Sequence, residues 1–359
     1  MTRTADPLPS EIAAVEAMPL VSIVLPIRNE SAYIERTLQS VKAQDYPQNR
    51  IELFVIDGDS TDDTKAIVER FSATYPGLQL LSNSKRIVPV ALNMALRRVR
   101  GDVVIWLDGH CEVARDYVSR CVGNLASSGA DCVGGPIHTV GSTYRAQAIA
   151  AGMSCWFGVG GSRFRTVKNR TLFVDTVAFP AYIRKAIERT GCFDEELVRN
   201  QDEEYNYRLR KLGGKILLAS DIHSVYYGRS TFRSLWRQYF QYGFWKVRVL
   251  QKHVRQMQLR HFIPPVFVGA ILVLSIAGFT SRLSRQALTL ILVGYATANL
   301  LASVARAMKV GRRFLPALPL VFLILHVSYG LGFLLGLVRF GLRWGDSETA
   351  IRLETERLA

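Results

Sequence analysis

The 359-residue sequence has one long gap in its charge pattern: no Asp or Glu occurs between Asp221 and Asp346. That stretch, 222–345, holds 16 Lys or Arg residues and also the long apolar runs. Residues 1–221 hold 27 basic and 26 acidic residues, so the net charge of +15 belongs to the second part alone. A nucleic-acid-binding protein would carry such charge on a polar domain. Bases flanking apolar spans point instead to membrane lipids as a partner, and no nucleic acid is expected. Cysteine is also sparse. Cys111, Cys121, Cys132, Cys155 and Cys192 form no CxxC and no close pair with metal spacing, so reduced, unpaired thiols are expected. Residues 1–19 lack the apolar core of a signal peptide and read as a loose tail. With 49% hydrophobic and 21% charged residues the chain is not a disordered one.

What is present in the first part is an alternation of short apolar runs and helical repeats. Leu20–Ile27, Ile51–Ile56, Leu78–Leu81 and Val103–Leu107 have buried-strand patterns. Between them, Ile34, Leu38 and Val41 repeat at helical spacing, Ser60 can cap a helix starting near Thr61, and Val88–Val99 forms a third helix. This order predicts an α/β fold with a mostly parallel sheet, whose ligands bind at the carboxyl ends of the strands. A further helix is expected over Gln201–Leu212, with acids at its start and bases at its end. Thr231–His253 is aromatic and basic, as suits an amphipathic helix in a membrane interface. Pro264–Phe279, Gln286–Ala305 and Phe314–Leu342 follow as about three membrane spans. The Arg306–Arg313 loop carries four bases against two in Ser281–Gln286, which places the former and the catalytic domain in the cytoplasm.

Four acidic clusters carry the candidate chemistry. Pro26-Ile27-Arg28-Asn29-Glu30, Asp57-Gly58-Asp59-Ser60-Thr61-Asp62 and Asp108-Gly109-His110 each follow a predicted strand, and Gln201-Asp202-Glu203-Glu204 opens a helix. A carboxylate after a buried strand can bond sugar hydroxyls or a base edge. A carboxylate and an imidazole two residues apart can share a divalent cation that neutralises a diphosphate. A separate carboxylate near a reacting hydroxyl can act as base. Together these suit group transfer from a nucleoside diphosphate. Taken singly they have plainer readings: Asp57–Asp62 as a turn and helix cap, Glu203 and Glu204 as first-turn acids, and His326, inside an apolar run, as a helix-packing hydrogen bond.

In order and spacing these strings resemble glycosyltransferase family 2 with the GT-A fold, a Rossmann-like nucleotide-diphospho-sugar transferase domain. The narrower likeness is to bacterial exopolysaccharide enzymes of the succinoglycan-type ExoA group. Pro26–Glu30 resembles the family's P-x-x-N-E, and Val55–Asp62 its V-V-D-D-G-S-T-D. Trp106–His110 stands where the family has D-x-D, and Asn200–Glu204 with Arg208-Leu209-Arg210 resembles its E-D…R-L-R. The resemblance implies a GT-A domain over 20–230, an interfacial helix region over 231–263, transmembrane helices over 264–342 and a tail over 343–359. It implies an inverting transferase at the bacterial inner membrane, moving glucose from UDP-glucose to a lipid-linked saccharide. The alternatives are a polyprenyl-phosphate glycosyltransferase and a non-catalytic membrane protein with a degenerate domain.

By that resemblance Asp202 is the general base, and Asp108 and His110 hold a divalent metal, Mn²⁺ or Mg²⁺. Pro26, Asn29, Glu30, Asp57, Asp59, Lys85, Arg86 and Asp108 bind the donor nucleotide. Gln201, Gln241 and Trp245 are candidates for the acceptor side, and Gly152–Arg165 is expected to line it. Two departures stand out: Gly58 replaces the second Asp of the usual pair, and His110 the last Asp of D-x-D. The processive enzymes' Q-x-x-R-W is absent, which implies one sugar per acceptor.

Overall fold

A computed structural model describes residues 18–344; most of both expected tails, 1–17 and 345–359, lies outside the described residues. The strands are β1 (Val21–Ile27), β2 (Ile51–Asp57), β3 (Leu78–Ser82), β4 (Val103–Trp106), β5 (Cys111–Val113), β6 (Cys132–Gly134), β7 (Ile137–Val140), β8 (Leu172–Phe173), β9 (Ala181–Ile183), β10 (Ile216–Leu218) and β11 (Ser224–Tyr227). The helices of seven residues or more are α1 (Ile34–Lys42), α2 (Thr64–Ser72), α3 (Val88–Leu96), α4 (Tyr117–Ser128), α5 (Tyr144–Met153), α6 (Arg184–Thr190), α7 (Gln201–Lys211), α8 (Phe232–Lys252), α9 (Leu259–Ala277), α10 (Arg282–Val310) and α11 (Leu318–Phe340).

Eight strands form one sheet in the order β3-β2-β1-β4-β9-β6-β10-β8, and β5-β11-β7 form a smaller one. The β3-β2-β1-β4 half is parallel, as the alternation of strands and helices requires, and β9 then enters antiparallel beside β4. Strands β1, β2 and β4 are buried almost throughout, as strands covered by helices on both faces must be. Their carboxyl ends deliver Arg28 to Glu30, Gly58 to Ser60 and Asp108 to His110 to one edge of the sheet. The helix expected from Thr61 starts instead at Thr64. Ser60 is not its cap: the Ser60 backbone N–H and hydroxyl both donate to Asp57, at 3.1 and 2.5 Å.

Helix α7 is held on the sheet by aromatic packing. Tyr205 stacks on Phe193 with ring centroids 4.2 Å apart and meets Trp106 edge-on at 5.3 Å. Beside it the Tyr182 hydroxyl donates to Asn206, which donates in turn to Thr176. The first turn of α7 is thereby fixed over the end of β4.

The apolar runs form α9, α10 and α11, each long and apolar enough to cross a membrane, with mean hydropathy of 1.8, 1.8 and 2.2. Helix α10 runs beyond its expected limits at both ends and α9 begins earlier, because their polar flanks continue the helices, whereas α11 is shorter than expected at both ends. Helix α11 is the centre of this bundle, since α8 lies along it. The Phe240 and Phe244 carbonyls of α8 come close against Gly332 and Gly336 of α11, and the Tyr329 carbonyl of α11 comes close against Gly243 of α8. A Cβ at Gly243 would stand 2.0 Å from that oxygen, so only glycine permits this approach. Half of α8 is therefore a packed helix joining the α/β sheet to the apolar bundle, rather than a ribbon presenting one whole face to lipid.

Candidate active site

A cavity of about 870 Å³ opens at the carboxyl ends of β1, β2 and β4 and continues between α8 and the apolar helices. Pro26, Arg28, Glu30, Asn83 and Arg86 line one end. Asp108, His110 and Asp202 stand in the middle, and Phe267, Tyr295, Leu325, His326 and Tyr329 line the other end.

The imidazole of His110 is set by Glu30, whose carboxylate lies 2.9 Å from Nδ1. Gly109 makes room for this contact, since a Cβ there would stand 2.8 Å from Glu30 Cγ. Burial alone would lower the His110 pKa, but the bond to Glu30 and the charge of Asp108 outweigh it and raise the value. This corner therefore has a negative potential that favours a cation. His110 Nε2 is buried and has no hydrogen-bond partner among the described residues. An orphaned imidazole nitrogen, a nearby carboxylate and a second carboxylate orienting the ring form a donor set that fits a divalent ion. Among the described residues no cluster of three or more His, Cys, Asp or Glu side chains forms a fuller ligand set. The remaining ligands would be substrate oxygens and water, the usual pattern for such ions with diphosphates.

Three consecutive acids open α7 and have three different fates. Glu204 is fully buried and bonded by Arg208 at 2.7 Å and by His253 at 2.9 Å. Glu203 pairs with Lys246 of α8. Its carboxyl would be raised by burial, but the Lys246 charge prevails and holds it at about 2. Asp202 forms no ion pair among the described residues and faces the cavity. The protein mass around it and the neighbouring Glu203 charge raise its pKa above the ordinary aspartate range. The first-turn reading of Glu203 and Glu204 thus understates them: both anchor α8.

The other predicted residues divide into two groups. Pro26, Glu30, Arg86, Asp108, His110, Gln201 and Asp202 reach the cavity wall. Asn29, Asp57, Asp59 and Lys85 are not on the wall; Asp57 ends β2 and the others sit in the loops after β1, β2 and β3. Asp57 holds Ser60, the Ser60 hydroxyl accepts the Asn29 N–H at 2.9 Å, and Asn29 Oδ1 accepts the Thr61 N–H at 2.8 Å. Asp59 pairs with Arg86, and Lys85 with Glu195 at 3.1 Å. Asn29, Asp59, Arg86 and Asn200 all have positive φ, between 54° and 64°, so backbone strain is concentrated around this cavity.

Gln241 and Trp245 do not line the cavity. The Trp245 indole N–H donates to Gln241 at 3.1 Å, and the ring packs on Phe244 and Phe340. The cavity face of α8 is a neighbouring stripe: Gln238, Tyr239, Tyr242 and Lys246. The helical period marks these two stripes in the sequence, but only the position of α11 decides which one turns inward. The expected acceptor stretch does reach the wall, through Trp156 to Ser162, Phe164 and Arg165. Arg229 lies on the wall too and had no motif to mark it. His326 bridges Tyr295 Oη and the Phe157 carbonyl at 3.0 and 2.8 Å, as the helix-packing reading expects, and borders the cavity as well.

A family model described as Glycosyl transferase family 2 matches residues 22–191. The chain is 32% identical over 257 residues to the succinoglycan biosynthesis protein ExoA of Rhizobium meliloti, a match covering 70% of this chain and 77% of that protein. It is 26% identical over 330 residues to the dolichyl N-acetyl-alpha-D-glucosaminyl phosphate 3-beta-D-2,3-diacetamido-2,3-dideoxy-beta-D-glucuronosyltransferase of Methanococcus voltae, covering 90% of this chain and 98% of the relative. A mannosyltransferase from Pyrobaculum calidifontis, solved with GDP-Man and Mn²⁺, superposes with a TM-score of 0.56 at 21% identity, over 89% of this chain and 88% of that one. That likeness is one of fold: the α/β part is GT-A-like.

Proposed function

The chain belongs to glycosyl transferase family 2, and from that premise we propose an inverting enzyme that moves one sugar from a nucleotide donor to a lipid-linked saccharide at the membrane. The observation that carries this reading is the single cavity running from the strand ends, past Asp108, His110 and Asp202, to the helices apolar enough to cross a bilayer. A soluble acceptor would need no such continuation. The Methanococcus relative, whose name gives a dolichyl-linked sugar phosphate as its acceptor, supports the same class.

The donor's base and ribose would lie against the loops braced by Asp57 and Asn29. Asp57 keeps acceptor capacity beyond its two bonds to Ser60. Asp108 and His110 would hold the metal, Mn²⁺ or Mg²⁺, which when bound neutralises the diphosphate leaving group; the likeness to a fold solved with Mn²⁺ supports it. Glu30 fixes the His110 ring and keeps Nε2 turned to that place. Asp202 takes the proton of the acceptor hydroxyl as its oxygen bonds to the anomeric carbon. The bond from that carbon to the β-phosphate oxygen breaks, and the nucleoside diphosphate leaves. A carboxyl with a raised pKa suits this task, because it is a stronger base than a solvated aspartate.

The topology we propose puts the catalytic part in the cytoplasm. The basic segment between α10 and α11 docks on it: the Tyr144 hydroxyl donates to the Arg313 carbonyl at 2.8 Å, and Arg313 donates to Gln147 at 2.9 Å. The segment richest in bases is thus on the catalytic side, which the positive-inside rule makes cytoplasmic.

The test is incubation of membranes containing the chain with labelled nucleotide sugars, UDP-glucose first, with Mn²⁺ and then with a chelator. Label that enters the lipid fraction and ceases to do so on chelation is the expected result. Metal-independent label would contradict the Asp108–His110 assignment, and label in water-soluble glycan alone would contradict the lipid acceptor.

A further inference from the structure

The bases deep in this region are paired with acids: Lys246 with Glu203, Arg260 with Asp175, Arg208 with Glu204 and Arg248 with Glu196. Arg165 and Arg229 are two partly buried arginines on the cavity wall that stand outside these pairs. Neither side chain makes an ion pair or a hydrogen bond among the described residues, and Arg165 Nη1 is shut off from solvent. A sequestered guanidinium without an anion is costly, and such a cost is kept where a ligand supplies the anion.

The two arginines meet at one residue, Tyr226. The Arg165 guanidinium lies 5.7 Å from the Tyr226 ring centroid, and Arg229 follows Tyr226 by three residues and acts electrostatically on it. The Tyr226 ring also lies against His110, at 5.0 Å between centroids. Arg165 also acts electrostatically on Tyr239 of α8, on the side where the cavity passes toward the apolar helices. Arg229 acts electrostatically on His110, Asp108 and Glu30, so the pair reaches from the catalytic corner toward the apolar helices.

We propose that Arg165 and Arg229, both near Tyr226, form a phosphate subsite that holds the phosphate linkage of the lipid acceptor. The inference rests on the lipid-acceptor reading above and adds to it the group by which the acceptor is gripped. Guanidinium forks suit phosphate oxygens in two-point contact. Held there, the phosphate leaves the lipid chain directed between α9, α10 and α11, and the attached sugar directed toward Asp202.

Calorimetric titration of the full chain in detergent tests this without relying on turnover. The probes are geranylgeranyl diphosphate, the matching alcohol and UDP; the two lipids are titrated with chelator present so that metal plays no part. The expected result is binding of the diphosphate and weak binding of the alcohol. Arg165→Gln and Arg229→Gln should each weaken diphosphate binding by about tenfold or more while UDP affinity stays unchanged, which also certifies folding. Diphosphate binding equal to wild type in both variants overturns the proposal. Loss of UDP affinity at an unchanged unfolding temperature overturns it too, because the arginines would then serve the donor. Absence of sugar transfer, by contrast, would sink the functional reading and leave this result standing on its own.

Discussion

Asp202, Glu203 and Glu204 are adjacent carboxylates on one helical turn, yet only the first is left for chemistry. Because the Asp202 carboxyl is raised by its surroundings and must be deprotonated to accept a proton, activity should fall as pH drops, through a value above the 3.8 of an ordinary aspartate. Glu203→Gln removes a negative neighbour and should move that limb to lower pH, read from kcat against pH. The corner at His110 makes a separate prediction. Gly109→Ala places a methyl group against Glu30 and should loosen the orientation of the imidazole. The metal concentration for half-maximal transfer should then rise by about tenfold or more, as for other losses of a ligand's orienting partner. These residues were legible in the sequence because each directly follows a buried strand or opens a helix, so local pattern alone fixes where it stands. Arg165 and Arg229 were not singled out, since their importance lies in the acids they lack, and absence of a partner is a tertiary fact.

At the scale of elements, α8 is the part whose role the sequence described least fully. Its aromatic and basic composition suggests a membrane surface, and nothing local reveals that Lys246, Arg248 and Lys252 are spoken for by Glu203, Glu196 and Asp194. Both Glu203 and Glu196 are held at about 2. Burial opposes this in each case, and the lysine and arginine charges outweigh it. A depressed carboxyl contributes stability above its unfolded value, near 4.5, and loses it as pH falls toward 2. Docking of α8 should therefore weaken across that interval, seen as faster amide exchange in α7 and α8 before the β-sheet yields. Against α11 the contact is steric. Gly332→Val would force a side chain against the Phe240 carbonyl and should cost about 1–3 kcal/mol by thermal unfolding. Gly294→Ala, in open space on α10, should cost little.

For the whole molecule, the sequence already divides a nearly neutral α/β part from an acid-free apolar part. The alternation of strands and helices and the three long helices follow from periodicity and length. What it does not contain is the join: a cavity shared by both parts, made by α8 lying between them. That join is the reason to read the protein as an enzyme acting on a membrane-embedded acceptor, with Asp202 at the meeting point. The most direct test compares wild type and Asp202→Asn in one experiment, measuring donor binding by titration and sugar transfer into the lipid fraction. The account predicts unchanged donor affinity with transfer reduced by about 10²–10⁴-fold, the usual contribution of a general base. Transfer by Asp202→Asn at the wild-type rate would contradict it.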